Sequence, residues 1–159
     1  MSFLELKIPP VLFTILCIIG MTLWHYGSNY YFSIESAFSS RLIFCIVWWV
    51  VGGAVSLLGV SEFAKKETTV NPMKPSESSS LVQSGIYSVT RNPMYVGFLC
   101  LVIGWSFFLM DVSTMALFVP FFIWYLTRFQ IIPEERILEG IFGNQFVTYK
   151  NKVNRWMFI

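Results

Sequence analysis

Hydrophobic positions gather into four runs, roughly residues 8–27, 40–62, 93–110 and 113–131, with polar residues returning between them. Each run is close to the length of about 20 apolar residues that a helix needs to cross a bilayer. The pattern predicts an all-α integral membrane bundle of about four transmembrane helices, residues 1–159 forming a single membrane domain. The first run opens at Pro9-Pro10, where a helix tolerates missing N–H donors. The second is entered after Ser39-Ser40 and left at Glu62; the third begins at Pro93; the fourth contains Pro120, a position that kinks helices. Only Asp111-Val112 separates the last two runs, so they form a tight hairpin. Gly52, Gly53, Ser56 and Gly59 in the second run are small residues spaced for close helix contact, and read as a packing face.

Composition narrows the class. The chain is 55% hydrophobic, 18% aromatic and 13% charged, where a soluble domain carries about 25% charge. A water-facing domain and a disordered chain are both excluded. Residues 8–24 have the character of a signal-peptide core, but Trp24, His25 and Tyr26 follow where small residues would mark cleavage, so the run reads as a retained span. Cys17, Cys45 and Cys100 all lie inside apolar runs with no metal spacing and read as small core residues.

Charge orients the bundle. Every basic residue except Arg41 precedes the first run, lies between the second and third, or falls at or after the end of the fourth. Positive residues mark the cytoplasmic side, which places both termini, the 63–92 loop and the 132–159 tail there. The opposite face, residues 28–39 and the 111–112 turn, is too small to hold much of a site. A net charge of +2 gives no reason to expect a nucleic-acid partner. The single histidine, His25, lies at the far end of the first run with no second histidine near it, so no metal site is expected. No Ser-His-Asp set, glycine-rich phosphate loop or dinucleotide fingerprint is present.

Candidate chemistry therefore sits in the loop and tail, which the hairpin brings side by side. Asn92-Pro93 reads as N-cap and first helical residue of the third helix, whose free N–H groups and dipole suit an anion. Arg91 adds a fork of donors for a carboxylate or phosphate, Tyr87 and Tyr95 add aromatic faces able to stack a base or face a cation, and Gly85 and Gly97 permit close approach. The same residues also fit an ordinary helix start with an interfacial belt of Tyr and Arg. Pro133-Glu134-Glu135-Arg136 opens a short tail helix with an apolar stripe of Leu138, Ile141 and Phe142, and Gly143 at its end. The two glutamates complement that helix N-terminus, and the hairpin also sets them next to Arg91 and Asn92.

Ordered blocks carry a further likeness over roughly residues 63–155: Thr68-Thr69-Val70-Asn71-Pro72, Leu81-Val82-Gln83-Ser84-Gly85-Ile86-Tyr87, Arg91-Asn92-Pro93-Met94-Tyr95-Val96-Gly97, then, after one hairpin, Glu134-Glu135, Leu138, Phe142-Gly143, Tyr149 and Val153-Asn154-Arg155. In these blocks and their spacing the chain resembles the isoprenylcysteine carboxyl methyltransferase family, a superfamily that also embraces phospholipid methyltransferases. The resemblance implies an S-adenosylmethionine-dependent methyltransferase whose cofactor is held between 63–97 and 132–155. It implies cofactor contacts from Arg91, Asn92, Tyr95 and Glu135, with Val82, Gly85 and Tyr87 framing the site; Arg91 and Glu134 are the expected catalytic residues. Many members carry His where Asn92 stands, and many are longer.

The methyl acceptor follows from chemistry as a lipid-like or small molecule at the bilayer edge. A carboxylate acceptor is ionised near pH 7 and needs no base, which suits a site without histidine; an amine or thiol would draw on Glu134 or Glu135. Two other readings stand beside this one: an NADPH-dependent membrane reductase of the related sterol type, and a non-catalytic membrane assembly subunit built around the Gly52–Gly59 face. Oligomeric state is not legible.

Overall fold

The structure, a computed structural model, describes residues 5–27, 37–66 and 75–157; the expected outer loop at 28–36 and the Thr68–Pro72 block lie outside them. The described residues are mostly helical and contain no β-strand, only an isolated bridge position at Asp111. Four helices form the bundle: α1 (Pro10–Gly27), α2 (Phe38–Lys65), α3 (Pro93–Leu109) and α4 (Val112–Leu126). α4 runs on through a π-helical turn (Thr127–Ile131) into α5 (Ile132–Phe142), and α6 (Asn144–Lys152) follows. Short 3-10 turns stand at Pro75–Glu77 and Gly85–Ser88.

Three of these helices are long and apolar enough to cross a membrane: Pro10–Gly27, Phe38–Lys65 and the continuous Val112–Phe142. α3, with 17 residues, spans about 25 Å and is the shorter apolar member of the expected four. It is also the most enclosed, with Val96, Leu99, Cys100, Val102 and Leu109 all buried. α2, by contrast, leaves Ile43, Val50, Leu57 and Leu58 bare. Such a surface is unstable in water and at home in hydrocarbon.

The α2–α3 pair packs through small residues. A Cβ built on Gly97 would stand 2.0 Å from the Ser56 hydroxyl and 2.5 Å from the Gly52 carbonyl oxygen, and one on Gly52 would stand 2.6 Å from the Gly97 carbonyl oxygen. The expected small-residue face is thus present through Gly52, Ser56 and Gly59, while Gly53 points into open space. α1 closes the other side: Phe13 stacks on Tyr125 with ring centroids 3.8 Å apart, and Trp105 donates to the Thr22 hydroxyl at 2.9 Å.

Both ends of the α3–α4 hairpin are fastened. At the turn, Met110 takes a left-handed cap (φ 50°), and buried Asp111 caps α4 by accepting from the Ser113 N–H at 2.9 Å. His25 meets the other Asp111 carboxylate oxygen at 3.0 Å, which gives the lone histidine a structural partner. At the open end, the start of α3 and the end of α4 emerge together. Residues 75–92 and the tail after α4 fold over that end.

Candidate active site

The loop preceding α3 is shaped by α2. Glu62, buried near the end of α2, accepts from the Ser84 hydroxyl at 2.6 Å and from Lys65 at 2.5 Å. Gly85 follows at φ +58°, with the Glu62 carboxyl carbon only 2.6 Å from where a Cβ would be. Only glycine fits, on both conformational and steric grounds. The 3-10 turn then lays Tyr87 edge-on against Phe63, with centroids 5.3 Å apart, and the Tyr149 hydroxyl donates to the Tyr87 carbonyl at 2.7 Å.

The tail is stitched across the start of α3. The Arg91 N–H donates to the Asn154 carbonyl at 2.9 Å, and the Thr90 hydroxyl and the Asn92 side-chain amide donate to the Arg155 carbonyl at 2.8 Å and 3.1 Å. Asn92 does occupy the N-cap position of α3, but its side chain makes no cap hydrogen bond. The expected capping role is corrected: the amide is committed to the tail carbonyl instead.

The π-helical turn delivers α5 with its first-turn carboxylates against this loop. Glu135 takes Arg155 in a fork, Nε to both carboxylate oxygens at 3.0 Å and 3.1 Å and Nη2 at 2.8 Å. The same carboxylate holds Arg91 through Nη2 at 3.0 Å. Glu134 accepts from the Tyr95 hydroxyl. Arg91 has a side chain only 9% exposed, and its Nε and Nη1 donors have no partner among the described residues. Leaving buried charged donors unmet is expensive, and this guanidinium edge is open to an anion.

Electrostatics follow from burial. Desolvation lowers the Arg91 pKa, opposed by Glu135, whereas the hydrogen bond to Glu135 raises that of Arg155. Glu134 is pushed up to about 8, mainly by desolvation and against the Tyr95 hydrogen bond. Desolvation also raises the Tyr87 and Tyr149 hydroxyls. Near neutral pH Glu134 therefore holds its proton, while Glu135 is paired with both arginines.

These groups surround one open-mouthed cavity of about 100 Å³. Val82, Tyr87, Arg91, Asn92, Tyr95, Glu134 and Glu135 all line it. Gly85 does not; it lies beneath, against Glu62. Met94, Leu138, Phe146 and Tyr149 are also among its walls and were not picked out from the sequence as site residues. Glu62 was also missed, although an acidic residue closing an apolar helix was a signal that could have found it. Beyond Arg91 a second, mainly apolar groove runs along α4, with Pro120, Ile123 and Trp124 at one end and Arg128, Arg155 and Trp156 at the other. Arg91 borders both spaces. No group of metal-ligating side chains occurs among the described residues.

The phospholipid methyltransferase family model matches residues 40–145. The chain is 36% identical over 73 residues to the protein-S-isoprenylcysteine O-methyltransferase of Saccharomyces cerevisiae, covering 46% of this chain and 30% of that one. It is 27% identical over 116 residues to protein-S-isoprenylcysteine O-methyltransferase B of Arabidopsis thaliana, covering 67% and 58%. An uncharacterized protein of Haemophilus influenzae is 39% identical over 64 residues, 40% of this chain and 100% of that one. The chain therefore spans between 30% and 58% of the length of the two named methyltransferases. No solved structure matches.

Proposed function

The chain belongs to the phospholipid methyltransferase family, and from that premise we propose that this integral membrane protein is an S-adenosylmethionine-dependent methyltransferase acting on a lipid-like carboxylate. The observation that carries the reading is the buried Arg91 guanidinium, whose Nε and Nη1 lack partners among the described residues and which lines the cavity. An α-amino acid carboxylate is the kind of anion such a fork takes. Tyr87, Tyr95 and Val82 line walls suited to a flat base and an apolar stem.

S-adenosylmethionine, when bound, supplies an electrophilic sulfonium methyl group. The chain contributes binding, orientation and exclusion of water, which can provide most of the rate in a direct displacement. Arg91 fixes the anionic end. Glu135 holds Arg91 and Arg155 at set positions through its two oxygens, and in that role it supports the cofactor site without offering a free oxygen. Glu134, protonated near neutral pH, is a hydrogen-bonding wall and a poor base. A carboxylate acceptor needs no proton removed, so this arrangement favours carboxylate over amine or thiol.

The groove along α4 fits the acceptor: apolar at Pro120 and Trp124, cationic at Arg128 and Arg155, and bordered by Arg91. Lys65, Arg91, Arg128, Arg136, Lys150, Lys152 and Arg155 lie on the loop and tail side of the helices, which supports a cytoplasmic site and cytoplasmic termini. The test is reconstitution in liposomes with methyl-labelled S-adenosylmethionine and three amphiphiles of one chain length bearing carboxylate, thiol or amine heads. The label is expected in a base-labile ester of the carboxylate amphiphile. Label on the amine, or transfer to none of the three, would overturn the carboxylate assignment.

A further inference from the structure

Residues 5–8 precede the first helix and touch nothing in the cavity, yet they are bonded with unusual density to the π-helical turn that carries α5. The Leu6 N–H donates to the Phe129 carbonyl at 3.0 Å. The Gln130 side-chain amide, 1% exposed, donates to the Ile8 carbonyl at 3.3 Å. The Glu5 carboxylate, its side chain 3% exposed, takes Arg128 at 2.9 Å and comes within 3.5 Å of Arg136. Arg128 lies within the π turn and Arg136 in the first turns of α5, so Glu5 clamps both sides of the junction.

Leu6 makes these contacts in a left-handed conformation, φ +56°. A leucine adopts that region only where its surroundings over-determine it, and such strain collects where a geometry is needed for function. The geometry in question is the extra residue of the π turn. One additional residue rotates everything after it by about 100° around the helix axis. That rotation decides whether Glu134 meets Tyr95 and Glu135 meets Arg91 and Arg155. On its other side the turn is held by the tail, where the Trp156 indole N–H donates to the Thr127 hydroxyl at 3.1 Å.

We propose that residues 5–8 form a positioning strap, with Glu5 its principal residue, that fixes the π-helical turn and thereby aims the α5 carboxylates at the cofactor cavity. The effect on ligand binding rests on the methyltransferase reading; the mechanical coupling of strap to turn does not. Glu5 is thus a positioning residue acting through Arg128 and Arg136. In a strap-broken state the turn relaxes, Glu135 loses its alignment with Arg91, and the anion fork is no longer held in register.

Amide hydrogen exchange and calorimetry with S-adenosylhomocysteine, on the full chain in nanodiscs, test this with three variants. Glu5→Gln removes the charge. Leu6→Pro removes the N–H donor and forbids positive φ. Leu6→Gly keeps the donor and relieves the strain. Exchange over residues 127–136 is expected to rise about tenfold in the first two, with α3 unchanged, and S-adenosylhomocysteine binding to weaken about threefold to thirtyfold. Leu6→Gly should match the wild type in both. Unchanged exchange at 127–136 in Glu5→Gln and Leu6→Pro would overturn the proposal, as would a rise spread equally over α3. Should the local rise occur while even the wild type fails to bind S-adenosylhomocysteine, the methyltransferase reading falls and the strap's hold on the turn stands.

Discussion

Arg91 and Glu134 are two titratable groups of the cavity wall that burial perturbs, the one lowered and the other raised. Arg91 was legible as a donor beside a helix start, because Asn92-Pro93 announces that start. Its partner was legible only as one of two adjacent glutamates, since the rotation of α5 decides between them and a sequence does not print it. Glu135 faces the arginines and Glu134 faces Tyr95. Asn92 stands at the expected N-cap position but makes no cap bond; its side-chain amide donates to a tail carbonyl 63 residues away, a partner that local sequence does not reveal. The raised pKa of Glu134 gives a pH prediction. Its ordinary value is 4.5 and its folded value about 8. Between those values the native state holds a proton that the unfolded chain has lost, so this group makes stability fall as pH rises, levelling off above the folded value. Thermal melting of purified protein from about pH 5 to about pH 9 should show that decline, and Glu134→Gln should flatten it. Parallel curves for the two proteins would mean that Glu134 is ionised in the fold.

At the scale of elements, the four apolar runs became four helices because length and hydrophobicity leave a membrane chain few other options. Hairpin closure at Asp111 followed from the absence of any linker. The π-helical turn was not legible: Thr127–Ile131 reads as ordinary helix, and only bonds from residues 5–8 and from Trp156 single it out. Small-residue packing was legible as a set but not residue by residue. Gly52 and Gly97 meet backbone to backbone, while Gly53 meets nothing within 4 Å. Gly97→Ala should therefore force α2 from α3 and destabilise by about 1–3 kcal/mol, the usual cost of overpacking. Gly53→Ala should be neutral. Denaturation of the two variants in the same detergent separates them, and equal stability would show that the helix pair is looser than its contacts imply.

For the molecule as a whole, the described part of the loop and the tail meet over the open end of the α3–α4 hairpin and enclose a cavity with an unsatisfied cation in its wall. Lipid-facing α2 and enclosed α3 support that end, and the groove along α4 gives it a side facing the bilayer. Charge counting anticipated the gathering of basic groups, and the hairpin anticipated the meeting of loop and tail. Neither anticipated that Glu135 would be consumed in holding arginines, since that depends on Arg155, far along the chain. The proposed methyltransferase activity requires that the cavity take the cofactor through Arg91. Calorimetric titration of the full chain in nanodiscs with S-adenosylhomocysteine should give saturable binding of one equivalent, weakened about tenfold to a hundredfold in Arg91→Ala, the loss expected for hydrogen bonds to a charged group. Absence of saturable binding in the wild type, or equal affinity in the Arg91→Ala variant, would contradict it.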